Sequence, residues 1–400
     1  MRGLALEGGG AKGAYHLGAL KALYEAGYAF DGVVGTSIGA LNGAIIVQDG
    51  GSIENLQKLW DNVKVSQLLD FDDEEWEMIR KGAINLGRIG YLIGKIKKFG
   101  RVRLESTDRM RKFISSYISE EKLRASKLDF GFAVFNMSDM KVIEVMKEDV
   151  AEGELLNYVI ASANYPVYST IEIDGNRLMD GGVANNLPVN LLIDKGYDEI
   201  ICIRTRDRYQ SVYESLYRGK NIKYIVPSEK MSMAMNFSRD RIDYYQKMGY
   251  YDANRMIKGY FGKHYYLQEV PDDDVKTTML YLPDEAFYEA LRAAGVAPVE
   301  DKIENYELFV SAVKRHQSEK KKDSDSMAIG LFLEDFAATY GIDRFEVFDP
   351  LELALRIYEK AKMDMFDPEG VLAKSKYCKN KVRKDMFVAI MKHFSVFKRD

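Results

Sequence analysis

Ser37 stands at the centre of GTSIGA, so that Gly35, Ser37 and Gly39 form a GxSxG pentapeptide. In such a segment a serine can sit on a sharp turn from strand to helix, with its hydroxyl exposed and the flanking glycines leaving room at the turn. Upstream, GGGAKG places Gly8, Gly9, Gly10, Ala11, Lys12 and Gly13 in one loop, and downstream DGG places Asp180, Gly181 and Gly182 together. In that order the three read as oxyanion cradle, nucleophile and base. Each motif alone is common, and GxSxG or DGG by itself is as readily a tight turn. Their combination, each at a strand end, describes one hydrolytic site.

The glycine loop carries a second reading, because Gly8, Gly10 and Gly13 also satisfy GxGxxG, the dinucleotide fingerprint. That fingerprint requires an acidic residue closing the second strand, and Asp31 precedes Val33 and Val34 rather than following them. A Walker loop is excluded because no Lys-Ser or Lys-Thr pair follows Gly13. What remains is a cradle of backbone amides for a developing oxyanion. Loss of one such donor costs a hydrolase about 2.7 to 4 kcal/mol of transition-state stabilisation.

A serine nucleophile needs a base, and the chain has four histidines, His16, His264, His316 and His393, none in a motif. Asp180 is the better candidate, since it ends a predicted strand and the glycines behind it leave room beside the carboxylate. With an ordinary pKa of about 3.9, an aspartate is a weak base toward a serine hydroxyl, so direct Ser/Asp chemistry depends on strong oxyanion stabilisation. Assistance from His264 is the competing triad reading.

The elements that would hold these groups are legible as a βαβα run. Leu4 to Leu6 is extended, Leu17, Leu20, Leu23 and Tyr24 recur at helical spacing, Val33 and Val34 form a second strand, and IGALNGAIIV suits a buried helix. That order predicts a parallel sheet. Residues 51–127 change to helical, charged and aromatic segments, read as an insertion. Strands then return at Leu128 to Asn136, Lys141 to Met146, through Ile171 and Ile173, into Asp180, and at Glu199 to Thr205. The α/β part is expected to close near residue 205. Residues 206–400 read as mainly helical, with the polar run 314–326 as an internal boundary, and nine Lys/Arg against two Asp between 371 and 400 mark a basic end, read as a docked terminal helix.

With these motifs in order, the chain resembles the patatin-like phospholipase family, which is marked by a GGGx(R/K)G loop, a GxSxG elbow and a DG(G/A) base. ASANYPVY (161–168) and DGGVANNLPV (180–189) resemble segments of bacterial members, and the likeness covers about residues 1–205. It implies a three-layer α/β fold with a mainly parallel central sheet, followed here by a mainly helical C-terminal region. It also implies a Ser37/Asp180 dyad acting on acyl esters of lipids, with the 8–13 loop as oxyanion hole. NFSRDRIDYYQKMGYYDANR (236–255) resembles an extension behind some bacterial patatin domains. A nucleotide-binding oxidoreductase and a catalytically silent scaffold of the same fold are the alternatives.

Composition sets the outer limits. The chain has 400 residues, 46% hydrophobic and 30% charged, and a net charge of −4, which provides no global basic field for nucleic acid. Cys202 and Cys378 stand far apart without ligand spacing, so no disulfide framework or zinc site is expected, and no carboxylate loop suggests calcium. No metal or cofactor is called for. The short apolar opening does not read as a secretory signal, and a reducing, cytoplasmic setting is expected. Residues 80–103 carry eight Lys/Arg and no acid, interleaved with apolar side chains. They read either as a flap touching an anionic membrane, which would make the protein peripheral there, or as an insertion packed on its own domain.

Overall fold

The computed structural model describes residues 1–68, 106–164, 171–206, 219–232, 234, 236–317, 324–363 and 368–397. The chain divides into two compact units, Met1–Ile257 and Lys258–Asp400.

The first unit opens as expected, with β1 (Arg2–Leu6), α1 (Ala14–Glu25), β2 (Gly32–Thr36) and α2 (Ile38–Gln48), β1 and β2 being parallel. Among the described residues, four helices follow in the stretch read as an insertion: α3 (Glu54–Asn62), α4 (Val65–Leu68), α5 (Ser106–Ser115) and α6 (Glu120–Ala125). The basic 80–103 segment lies outside the described residues. Next come β3 (Asp129–Asn136), β4 (Lys141–Met146), α7 (Leu155–Ser162), β5 (Ile171–Ile173) and β6 (Asn176–Asp180). The unit ends with α8 (Val189–Asp194), β7 (Glu199–Ile203), β8 (Asn221–Ile225) and most of α9 (Arg239–Lys258).

Hydrogen-bonded neighbours run β5, β6, β3, β2, β1, β7, β8, with β4 also on β3. β1, β2, β3, β7 and β8 are mutually parallel, and β4, β5 and β6 pair antiparallel. Side chains alternate between the two faces of a strand. Ala5, Val34 and Cys202 accordingly pack with Val189 and Leu192 of α8 on one face, while Val33 and Phe130 close on α2 at Gly43 on the other. Helices therefore cover both faces, and the mainly parallel, three-layer arrangement expected from the sequence is the one observed.

One detail of register positions the site. β4 pairs with β3 from Gly131 to Asn136, and β2 pairs with it from Asp129 to Ala133, so the two occupy opposite flanks. β6 pairs with β3 from Val134 to Asn136, overlapping β4 and starting where the β2 register stops. It must therefore lie on the β2 flank. β2 and β6 run toward each other along that flank, and their last residues, Thr36 and Asp180, face the consecutive residues Ala133 and Val134.

The domain limits differ from the sequence expectation. The first unit continues past residue 205, because β8 extends the sheet beside β7 and α9 lies directly against α1. A Cβ on Gly18 would fall 1.9 Å from Gln246 O, and one on Gly249 would fall 2.1 Å from Tyr15 O, so the two helices meet backbone to backbone. Tyr15 also donates to the buried carboxylate of Asp252 at 3.0 Å.

The second unit is helical as anticipated: α10 (Asp272–Met279), α11 (Asp284–Ala293), α12 (Lys302–His316), α13 (Asp325–Thr339), α14 (Pro350–Met363), α15 (Pro368–Ala373) and α16 (Lys381–Met391), with a two-stranded parallel pair, β9 (Tyr266–Leu267) and β10 (Val347–Phe348). The boundary expected at 314–326 is not one. α12 and α13 share a single core through Phe309 and Phe332, whose rings meet edge to face at 6.4 Å between centroids. The terminal helix is docked, with Phe387 stacked on Phe336 at 3.9 Å between ring centroids.

Candidate active site

Ser37 is the residue between β2 and α2. Its backbone sits at φ 57° and ψ −128°, a strained conformation for a residue with a side chain, costing on the order of 1 to 3 kcal/mol. The two elbow glycines make the turn sterically feasible. A Cβ on Gly39 would fall 2.1 Å from Leu6 O, and one on Gly35 would fall 2.4 Å from the Gly39 carbonyl carbon. The carbonyl of Ser37 accepts from Ala40 and Leu41 at 2.9 and 3.2 Å, so α2 starts at the serine and its positive end lies beside Oγ.

A residue not singled out in the sequence holds this strained turn. Ser162, fully buried at the end of α7, accepts the Ser37 amide proton at 3.1 Å and donates its own to Ala133 O at 2.7 Å. Its hydroxyl thus ties the turn at Ser37 to β3, the strand against which Asp180 at the end of β6 is also paired. Ser162→Ala leaves both partners unpaired, at about 1 to 3 kcal/mol. Thermal denaturation should show a melting point lower by several degrees, and turnover should fall about tenfold as the elbow relaxes. Unchanged values of both would contradict this role.

Asp180 ends β6, and the head-on meeting of β2 and β6 brings it to Ser37, whose Oγ donates to Oδ2 at 2.6 Å. Oδ1 accepts from the Gly182 amide at 2.8 Å, and the Asp180 amide donates to Asn164 O at 3.1 Å. Burial pushes the Asp180 carboxyl above the usual aspartate range, opposed by the hydrogen bonds from Ser37 and Gly182. The carboxylate is 5% exposed and the serine 8%.

The glycine loop runs from β1 into a short 3₁₀ turn (Gly10–Gly13) before α1. The Gly8 amide donates to Asn186 O, Ala11 to Ala234 O, and Lys12 to Gly9 O. Among the described residues, no hydrogen bond engages the amides of Gly9 and Gly10. The Gly8 carbonyl is held from outside the loop by Thr205 Oγ1 at 2.5 Å and Asn186 Nδ2 at 3.2 Å. Glu7, buried at the end of β1, accepts the Thr205 amide at 2.6 Å and lies 3.8 Å from Arg204 Nε.

Gly8, Gly9, Gly10, Lys12, Ser37, Asp180 and Gly182 line one cavity of about 380 Å³, whose other walls are largely apolar: Leu41 and Ile45 of α2, Leu59 and Trp60 of α3, Phe113 and Ile114 of α5. Ala11, Gly13, Gly35, Gly39 and Gly181 are buried behind that lining. The cavity lining includes no histidine among the described residues. His16 is buried and accepts or shares a hydrogen bond with Asn42 Nδ2 at 3.1 Å, and burial pushes its pKa down to about 3, so it stays neutral. His264 belongs to the second unit.

The dinucleotide reading of the loop meets two obstacles. Three of its amides, those of Gly8, Ala11 and Lys12, are already committed, and Asp31 accepts from the Arg2 amide at the start of β1 and β2, the opposite end of these strands from the loop. Among the described residues no cluster of His, Cys, Asp or Glu could hold a metal ion, and no helix is long and apolar enough to cross a membrane.

Fold and site together define a class: α/β proteins with a serine on a strand-to-helix elbow, an aspartate beside it and a glycine loop over both. Residues 4–193 match the family model described as Patatin-like phospholipase, so this stretch is a patatin-like phospholipase domain. Patatin-like phospholipase domain-containing protein 6 of Mus musculus is 29% identical over 208 residues, covering 50% of this chain and 13% of that protein. Lysophospholipase NTE1 of Kluyveromyces lactis is 27% identical over 199 residues, covering 48% and 12%. The chain thus spans a small part of the length of these relatives. Among solved structures, VipD from Legionella pneumophila aligns with a TM-score of 0.41 at 15% identity, covering 100% of this chain and 92% of that one.

Proposed function

We propose that this protein is a serine-dependent hydrolase of lipid carboxylic esters, of the phospholipase or lysophospholipase type, with Ser37 as nucleophile and Asp180 as base. The observation that carries the proposal is the 2.6 Å hydrogen bond from Ser37 Oγ to Asp180 Oδ2 at the polar end of an apolar cavity. The names of the relatives, a phospholipase-domain protein and a lysophospholipase, support the lipid ester as substrate class.

In this mechanism the acyl chain enters between α2, α3 and α5, and its carbonyl carbon meets Ser37 Oγ. The hydroxyl proton passes to Asp180 Oδ2 as Oγ attacks, and the carbonyl oxygen becomes an oxyanion facing the unengaged amides of Gly9 and Gly10 and the start of α2. The protonated Asp180 then gives its proton to the departing alcohol. Water enters next, deprotonated by the same carboxylate, and releases the fatty acid from Ser37. Burial helps at each step, because it raises the basicity of Asp180 and strengthens the amide dipoles in a site poor in water.

A fluorophosphonate probe should label the folded protein, and peptide mass mapping should place the adduct on Ser37. A lipid panel read by product mass would then identify the ester cleaved. Absence of labelling on folded protein would favour a catalytically silent scaffold instead.

A further inference from the structure

The peptide between Gly8 and Gly9 has no side chain on either side to fix its plane, yet it is the unit that must present an amide to the oxyanion. Its carbonyl is gripped by two side-chain donors from other parts of the chain, Thr205 Oγ1 at 2.5 Å and Asn186 Nδ2 at 3.2 Å. In a trans peptide the N–H points opposite to the carbonyl, and the structure contains no cis bonds among the described residues. Turning the Gly8 oxygen toward Thr205 and Asn186 therefore turns the Gly9 hydrogen away from them. We propose that Thr205 and Asn186 are positioning residues for catalysis, locking the Gly8–Gly9 peptide so that the Gly9 amide serves as an oxyanion donor.

The surroundings are built for that task. Thr205 is 1% exposed, and its own amide donates to the buried Glu7 carboxylate at 2.6 Å, which fixes the threonine backbone from behind. Glu7 directly precedes Gly8 and is itself tied to β7 through its amide, which donates to Ile203 O at 3.0 Å. Asn186 acts from the other side: its backbone carbonyl accepts the Gly8 amide at 3.2 Å while its side chain holds the Gly8 oxygen. Since Asn186 lies six residues after Asp180, the turn that follows the base also carries one arm of the clamp, so two hydrogen bonds tie the loop to that turn.

The inference rests on the Ser37/Asp180 reading, and its test keeps the two apart. Thr205→Val preserves shape and removes the hydroxyl donor. It should lower kcat about 10- to 100-fold, up to the loss seen when an oxyanion donor is removed, with KM for the same lipid ester nearly unchanged. Thr205→Ser, which keeps the donor, should restore most of the rate. Asn186→Ala should lower kcat in the same way and provides the measurement if Thr205→Val does not fold. The double variant should fall short of the product of the two single losses, because both act on one peptide. Wild-type kcat in both folded single variants would overturn the clamp, as would a loss confined to KM, or a Thr205→Ser variant as impaired as Thr205→Val. Failure of Ser37 to take the phosphonate, or full turnover in Asp180→Asn, would overturn the dyad instead.

Discussion

Asp180→Asn should abolish most turnover, lowering kcat by about 10⁴- to 10⁶-fold, and at the same time make the protein more stable at neutral pH. The loss follows from the position of the carboxylate. Oδ2 accepts the Ser37 Oγ hydrogen bond and in the proposed dyad receives its proton, and an amide in its place cannot take one. Replacing the base, or the group that orients it, in other serine hydrolases costs comparable factors. KM should change little, because the apolar walls of the cavity are untouched.

The stability gain follows from the direction of the pKa shift. Burial raises the folded-state pKa of Asp180 above its unfolded value. The fold therefore favours the protonated form, and this contribution to stability is present below the unfolded pKa of about 3.9 and is lost as pH rises through the folded value. At pH 7 the ionised carboxylate is carried at a cost that the neutral amide avoids. Melting curves should show Asp180→Asn above wild type at pH 7, with the difference shrinking toward pH 4. Wild-type activity should have an acid limb above the ordinary aspartate pKa, since the base works only when ionised. An Asp180→Asn enzyme with substantial turnover, or one less stable than wild type at pH 7, would contradict this account.

Much of this was legible in the residues, for a physical reason. A nucleophile on a strained turn demands glycine where backbones nearly touch, as Gly35 and Gly39 do, and such demands leave a short local signature. The same holds for GGGAKG and DGG. The strands were legible because buried parallel strands are continuous apolar runs. What escaped were residues whose roles arise only across the fold. Ser162, Asn186 and Thr205 are ordinary polar residues in sequence, and their hydroxyls and amide acquire meaning only once β1, β3, β7 and the turn after β6 converge. The domain limit escaped similarly. β8 is an edge strand with polar alternation, NIKYI, and the docking of α9 on α1 depends on Gly18 and Gly249 meeting in space, which no periodicity announces.

Gly10→Ala tests the other half of the proposed catalytic machinery and should reduce kcat about 10²- to 10³-fold while leaving Ser37 and Asp180 in place. Gly10 adopts φ +59°, where a side chain costs roughly 1 kcal/mol or more, and its missing Cβ would lie 2.3 Å from Ala234 O. That carbonyl cannot simply withdraw, because it accepts the Ala11 amide at 2.6 Å. The loop must move instead, and with it the Gly9 and Gly10 amides to which the proposed mechanism assigns the oxyanion. Because the oxyanion exists only after attack, the loss should fall on kcat rather than KM. Phosphonate labelling of Ser37 should slow in proportion, since negative charge develops on the phosphoryl oxygen during attack and would be held in the same cradle. If Gly10→Ala turned over at the wild-type rate while folded, the loop would be a structural turn and the oxyanion would have to be stabilised by the start of α2 alone.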